Sequence, residues 1–554
     1  MRDYFRHMKA SKYMVAIGFA LGLGACATQP ADLMLLGGKI YQVDSAWTVA
    51  EALVVRHGKV LYVGTANEAK KKYKAAQTID LSGSYVYPGF ADGHCHFLGY
   101  GRTLFNADLT DANSLQETLE RLHSFFGPST TGWIQGRGWD QNRWADLDGA
   151  YPSLHLLDSL YPNQPVALRR VDGHALWVNS KALEMAHIHG NTRIEGGEIP
   201  LDATGQVLGI LIDNAMEPVL ALIPENMKER DQEAMLKAQK NCLAVGLTFL
   251  HDAGLPLADV LMIDEAYRQG QLKLRIYQMI ANDDEALAHF ERAGPIVSDR
   301  FWVRSIKCYM DGALGSRGAW LNAPYADAPG TSGLQLTPTE TMRTTLKRAL
   351  GMGFQVNTHA IGDRAVAHSL ELYADVLPQA NDLRWRIEHC QVIDPSALPL
   401  FAAHGIIPSV QPTHATSDMA WAPHRLGTRL EGAYAYQSLL GVHGWLVGGS
   451  DFPVEQINPL LGFYAAVARQ NTQGMPQGGF LPRQALSRKD ALMAMTIWPA
   501  RGAHLETCLG SLEPGKWADF VVLNTDLMEA PLGQIPSASV LATYINGELV
   551  FEFE

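Results

Sequence analysis

Pro88-Gly89-Phe90-Ala91-Asp92-Gly93-His94-Cys95-His96 follows the apolar run Tyr85-Val86-Tyr87, and its reading decides the fold. Side chains two apart on a strand project to the same side. His94 and His96 can therefore share one metal ion while Cys95 points away. Imidazole suits Zn²⁺ and its neighbours as a ligand. A His-x-His triplet alone is a weak sign, because such pairs arise by chance. Its weight comes from what stands at the ends of the other apolar runs.

Val356-Asn357-Thr358-His359 closes one such run and precedes Ile361-Gly362-Asp363. Arg386-Ile387-Glu388-His389 closes another, and Leu446-Val447-Gly448-Gly449-Ser450-Asp451 a third, with Phe452-Pro453 next. Each residue alone could be a buried, hydrogen-bonded histidine or a helix cap. Four histidines and an aspartate at strand ends together require a common purpose, and the C-terminal rim of a parallel barrel is where such residues collect. Strand-like runs alternate with helical stretches through the middle of the chain, the pattern of βα units around a parallel sheet. The candidate strands end near His96, His251, Ile280, Asp311, His359, His389, His414 and Asp451. That count fits an α/β fold of the (β/α)₈ TIM-barrel type. The interval from about 97 to 241 is far longer than a βα unit and reads as an insertion on the catalytic face, a lid or specificity subdomain.

The two chain ends read differently. Leu33 to Ile40, Ala52 to Arg56 and Val60 to Val63 are short strands with a turn at His57-Gly58. Phe520 to Leu523 and Ala542 to Ile545 mirror them, and Asn546-Gly547 before Leu549-Val550-Phe551 is a strong hairpin signal. These ends are expected to pair into a small β-sandwich. The domain plan is a lipoprotein signal peptide at 1–25, the first part of the sandwich at 26–87, the barrel at 88–495 and the second part of the sandwich at 496–554.

Lys307 lies within the apolar run Val303-Arg304-Ser305-Ile306-Lys307-Cys308-Tyr309-Met310-Asp311, on the fourth candidate strand. A lysine there is costly unless it is paired or chemically changed. Asp311 is one possible ion-pair partner. The sharper reading is N-carboxylation: the neutral amine captures carbon dioxide, and the carbamate bridges two metal ions.

With these stretches assembled, the chain resembles the amidohydrolase superfamily, and most closely its branch of YtcJ-like proteins, which includes N-substituted formamide deformylases. The resemblance spans essentially the whole chain after the signal segment. Pro-Gly-Phe-x-Asp-x-His-x-His is found at residues 88–96. Lys…Asp-Gly-x-Leu-Gly-Ser-Arg is found at Lys307, Asp311, Gly312, Leu314, Gly315, Ser316 and Arg317. His359 to Ala365, Glu388 to Gln391, Gly449 to Pro453 and Gly510 to Phe520 complete it. Gly318-Ala319 stands where Thr-Ala is more usual, at a position that is not a ligand. The resemblance implies a divalent metal, best Zn²⁺, with two ions per chain. His94 and His96 would bind the more buried ion, and His359 and His389 the more exposed one. Carboxylated Lys307 would bridge, and Asp451 would touch the buried ion and carry the proton. His174, in Asp172-Gly173-His174 of the insertion, is a second catalytic candidate that would polarise the substrate. Gln411 and His414 are weaker candidates for substrate contact. The implied reaction is hydrolysis of an amide, formamide or other C–N bond of a small molecule. The same barrel also serves deaminases, which usually lack a bridging lysine, and esterases or lactonases. A lipid-anchored binding protein on a barrel without catalysis should have lost ligands, and this chain keeps all six.

Hydrophobic residues make up 47% of the 554 residues and charged ones 18%, so a large packed core is feasible. The formal net charge of -12 argues against a nucleic-acid partner, which would call for a basic face. Arg2, Arg6, Lys9 and Lys12 precede the uncharged stretch Met14 to Leu23, which is shorter than the roughly 20 apolar residues needed to span a bilayer. Leu23-Gly24-Ala25-Cys26 resembles a bacterial lipobox. Export is therefore expected, with lipidated Cys26 as the only membrane attachment, in the outer membrane and facing the periplasm. Cys95, Cys242, Cys308, Cys390 and Cys508 show neither a disulfide framework nor zinc spacing and read as free thiols.

Overall fold

The computed structural model describes residues 28–127, 132–147, 149–224, 228–378 and 381–553. The expected signal segment and Cys26 lie outside these residues. Eight parallel strands run in sequential order around a barrel: β1 (Phe90–Cys95), β2 (Leu247–Leu255), β3 (Arg275–Ala281), β4 (Phe301–Tyr309), β5 (Gln355–Ala360), β6 (Arg386–His389), β7 (Ile407–Val410) and β8 (Val447–Gly448). A short antiparallel strand, Ile296–Val297, flanks β4. Helices follow most strands and bury their apolar faces on the barrel, as Leu287 and Phe290 do after β3 and Val366 and Leu370 after β5. This layering explains why the strands are buried on both faces.

The barrel closes where the shortest strand meets the first. The amide of Asp451 donates to the His94 carbonyl at 2.7 Å, and that of His96 to the Phe452 carbonyl at 2.8 Å. Asp92 accepts from the amides of His94 (3.1 Å) and Ser450 (3.0 Å) and from the Ser450 hydroxyl (2.6 Å). Glycine is required at this seam. A Cβ on Gly93 would meet Val447 at 2.2 Å, and one on Gly449 would meet the His94 nitrogen at 2.5 Å.

The insertion is narrower than expected. Helices Phe97–Thr103 and Lys228–Ala244 belong to the barrel wall and are tied together by Arg102, which bonds to Asp231 and Asp259 at 2.8 Å each. The excursion lies between them. It carries a six-stranded sheet in the order Gly197–Glu198, Ile210–Asp213, Ala175–Val178, Val166–Arg170, Ile134–Trp139, Ala107–Asp108. Trp139, Trp144 and Trp177 fill its own core.

The chain ends share one eight-stranded sheet, and it is continuous rather than two separate layers. The long strand Gln29–Tyr41 pairs with Tyr73–Asp80 through its first half and with Tyr85–Pro88 through its second, with an irregularity between Leu36 and Ile40. Leu33, Leu35, Leu53 and Val55 share a core with Phe520, Val522 and Tyr544, so the sheet folds over its own apolar face. Arg275 joins this sheet to the barrel by a paired bond to Asp519 (2.6 and 3.0 Å) beneath Trp517. Cys95, Cys242, Cys308 and Cys390 are buried free thiols, and Cys508 is half-buried. Among the described residues, no helix is long and apolar enough to cross a membrane.

Candidate metal centre

Five barrel strands deliver their C-terminal ends to one point. β1 supplies His94 and is followed by His96. β4 supplies Lys307, β5 His359 and β6 His389, and Asp451 follows β8. Period-two alternation in β4 sends Ser305 and Lys307 inward. His389 and Asp451 hold left-handed backbone, with φ of 76° and 63°. Non-glycine residues rarely accept this conformation unless the surrounding structure imposes it, and such strain gathers at functional sites.

The tightest group is His94, His389 and Asp451, whose ligand atoms lie within 4.8 Å of one another. One Asp451 oxygen stands 3.1 Å from His96 Nε2 and 3.5 Å from His94 Nε2. Lys307 Nζ is 2.9 Å from His94 Nε2. The His359 ring meets that of His389 edge-to-face, with the centroids 4.5 Å apart. The ion pair between Lys307 and Asp311 that the sequence allowed is not formed. Asp311 instead accepts the amides of Trp320, Ile361 and Gly362 at 2.7–2.9 Å, which pins the turn after His359. Lys307 thus has no carboxylate of its own.

Burial sets the electrostatics. It pushes the Lys307 ammonium down to about 8 and the His94 imidazolium to about 4, with the Lys307 charge adding to the latter. His359 and His389 are held well below the usual imidazole range for the same reason. Burial alone would raise Asp451. The polar contacts with His414 and His96 outweigh it and keep the carboxylate well below its ordinary value. The site therefore offers neutral imidazoles beside an ionised carboxylate, the protonation states a divalent cation needs. Asp451 Oδ1 is buried between the Nε2 atoms of His96 and His94, where an ion would be shared by all three side chains.

Two partners behind the imidazoles, Glu388 and Arg386, were not assigned from the sequence. Glu388 bonds His94 Nδ1 at 2.6 Å and is itself gripped by Arg386, whose Nε lies 2.6 Å from the other oxygen. Arg386 also reaches His251 Nδ1 at 2.7 Å, which places His251 within β2 as a buried structural group rather than at a strand end. Gln411, the candidate for substrate contact, bonds His389 Nδ1 at 2.8 Å and so orients that imidazole. The alternation Arg386-x-Glu388 is the signal that could have found the first two, since both point inward from one strand. His414 sits past the end of β7, in the helix Pro412–Ser417, between Asp451 (3.5 Å) and Glu455 (3.0 Å). Burial opposes its charge, but those two carboxylates raise it to about 10.

The insertion roofs the centre and leaves a cavity of about 1980 Å³. His174 reaches in from it, its ring 5.0 Å from His359 and its Nδ1 2.6 Å from Asp213. Burial opposes its charge, but the bond to Asp213 and the charges of Asp213, Asp172 and Asp311 together raise its pKa.

Against known proteins, a family model described as "Amidohydrolase family" matches residues 77–551. The chain is 32% identical to the putative amidohydrolase YtcJ of Bacillus subtilis over 93% of its length and 98% of that protein's. It is 26% identical to the N-substituted formamide deformylase of Arthrobacter pascens, over 95% of this chain and 99% of the relative. A solved structure of an uncharacterized metal-dependent hydrolase from Pyrococcus horikoshii covers 90% of this chain and 99% of its own, with a TM-score of 0.74 at 29% identity.

Proposed function

The chain belongs to the amidohydrolase family, and on that premise we propose that it hydrolyses a carbon–nitrogen bond in an amide, formamide or N-acyl compound. The observation that carries the reading is the convergence of His94, Lys307, His389 and Asp451 at the barrel rim. The likeness to a formamide deformylase supports the bond type. His94 and His96 would hold the more buried of two ions, His359 and His389 the more exposed one, and Asp451 would reach the first. Zn²⁺ suits this imidazole-rich set. Lys307 fits a carboxylated bridge: burial favours its neutral amine, which adds carbon dioxide to give a carbamate and a proton.

A divalent cation bound here supplies hydroxide near neutral pH and polarises the scissile carbonyl. Asp451 would take the proton of the attacking water and return it to the leaving nitrogen. His174, held at Nδ1 by Asp213, leaves Nε2 to donate to the substrate carbonyl oxygen.

The test is metal content together with formamide hydrolysis on the purified chain. About two ions per chain are expected, with activity lost on chelation and regained on adding Zn²⁺. Lys307→Ala should lose one ion and nearly all turnover. Activity indifferent to chelation would sink the reading. We also propose export and lipid anchoring through Cys26, supported by the basic and apolar run before Leu23-Gly24-Ala25-Cys26. Cys26→Ser should move the protein from the membrane to the soluble fraction, and continued membrane attachment would refute the anchor.

A further inference from the structure

Two strands of the insertion, Ile134–Trp139 and Val166–Arg170, run parallel, and Arg137 pairs in register with Arg169. Side chains alternate along both. Ile134, Val166 and Leu168 enter the insertion's own core, whereas Gln135, Arg137, Ala167 and Arg169 line the catalytic cavity. Residues paired in this way stand on neighbouring strands roughly 4.8 Å apart and face the same side. The two guanidinium groups therefore emerge together into the space above the metal centre.

Among the described residues, neither arginine has a carboxylate within 4 Å. There Arg137 has a single side-chain bond, from Nη2 to the Val171 carbonyl at 3.3 Å, and its buried Nε has none. Glu217 acts on Arg169 only at longer range. The contrast with the next residue is direct: Arg170, which also borders the cavity, is neutralised by Asp140 and Asp172. Burial and the charge of Arg169 push Arg137 down to about 10, which leaves it cationic at neutral pH, and a guanidinium such as that of Arg169 keeps its proton in proteins. Two like charges side by side, partly desolvated and without a counter-ion, repel each other. That arrangement suits a site whose anion arrives from outside. In a chain of net charge -12, the placement is not explained by a generally basic surface.

The pair lies close to the reacting groups. The charge of Asp451 is felt at Arg137, and that of Arg169 at Tyr309, whose ring is 5.5 Å from His359. Gly173, next to His174, comes within 3.6–3.7 Å of the Arg137 guanidinium at its Cβ position. A molecule held by both arginines would thus lie beside His174 and above the ligands.

We infer that Arg137 and Arg169 form an anion subsite that selects substrates carrying a carboxylate on the body that bears the scissile C–N bond, such as N-acyl amino acids. The two oxygens of a carboxylate match two guanidinium groups, which donate in fixed planar geometry. The inference rests on the hydrolase reading above for the bond that is cleaved. The subsite itself rests on the arginines.

The experiment therefore measures binding and turnover separately. Metal-loaded protein is titrated calorimetrically with N-acetyl and N-formyl amino acids and with their neutral primary-amide counterparts, and amine release is followed on the same panel. The carboxylates are expected to bind about 10- to 100-fold more tightly than the matched amides, as two charge-assisted contacts imply. Arg137→Gln and Arg169→Gln should each erase most of that preference while leaving affinity for the neutral compounds unchanged. Arg137→Lys and Arg169→Lys, which keep the charge, should recover part of it. Thermal melting identifies any variant that fails to fold, and the lysine variants then carry the comparison. Equal binding of both classes, a preference that survives in the variants, or no binding by any member overturns the subsite. Preferential binding without hydrolysis of any member would leave the subsite standing and count against the C–N reaction instead.

Discussion

Glu388 illustrates how much of a metal centre lies behind its ligands. Its carboxylate takes His94 Nδ1 at 2.6 Å, which turns Nε2 toward Lys307 and fixes the tautomer that can donate a lone pair. Arg386 in turn fixes Glu388, and all three side chains are fully buried. Glu388→Gln is nearly isosteric but removes the charge that supports His94. Metal affinity is expected to fall about 10- to 100-fold, with the helix and strand content of the circular dichroism spectrum unchanged. Wild-type affinity in that variant, measured by competition with a chelator, would falsify the orienting role. Gln411 does the same for His389 with a neutral amide, so the two ligand histidines are held by different chemistry.

At the scale of elements, the seam between β1 and β8 decides whether the ligands meet. β8 is two residues long and pairs only with β7, so the closing bonds come from the chain just beyond it. Asp92 gathers three of the donors at this seam from a fully buried position. Asp92→Ala leaves those donors without an acceptor and should destabilise the fold by about 3 kcal/mol. It should also loosen metal binding, because His94 and Asp451 sit on the two sides of the seam. Denaturant unfolding checks the first effect and metal retention on dialysis the second. Unchanged values for both would mean that Asp92 is not what holds the seam. The insertion is an element of another kind. It has its own tryptophan core and contributes to the site through one face of a sheet, where Arg137 and Arg169 emerge, and through the turn carrying His174.

For the molecule as a whole, the barrel and the terminal sheet are joined by a buried ion pair. Arg275 is fully buried, spans to Asp519 on the strand-forming C-terminal segment, and also bonds Asn546 at 2.5 Å. Arg275→Ala would leave Asp519 buried and uncompensated, at a cost of about 3–5 kcal/mol. Thermal unfolding would then fall by several degrees or split into two transitions, and an unchanged single transition would show that the two bodies do not depend on this link. The residues that set the architecture were legible in the amino-acid order, because burial imposes periodicity. Apolar runs ending in His94, His359, His389 and Asp451 announced the strands and their common rim, and Asn546-Gly547 announced the terminal hairpin. The helices flanking the excursion read as part of the insertion, since nothing local says that Phe97–Thr103 and Lys228–Ala244 pack together across more than a hundred residues. Likewise, Lys307 had Asp311 as an available partner in sequence, and only the fold directs that carboxylate to three backbone amides instead. Periodicity determines which face a side chain takes. Which groups meet across that face is decided by the closure of the barrel and by the roof laid over it, because contacts between distant strands leave no mark on either strand alone.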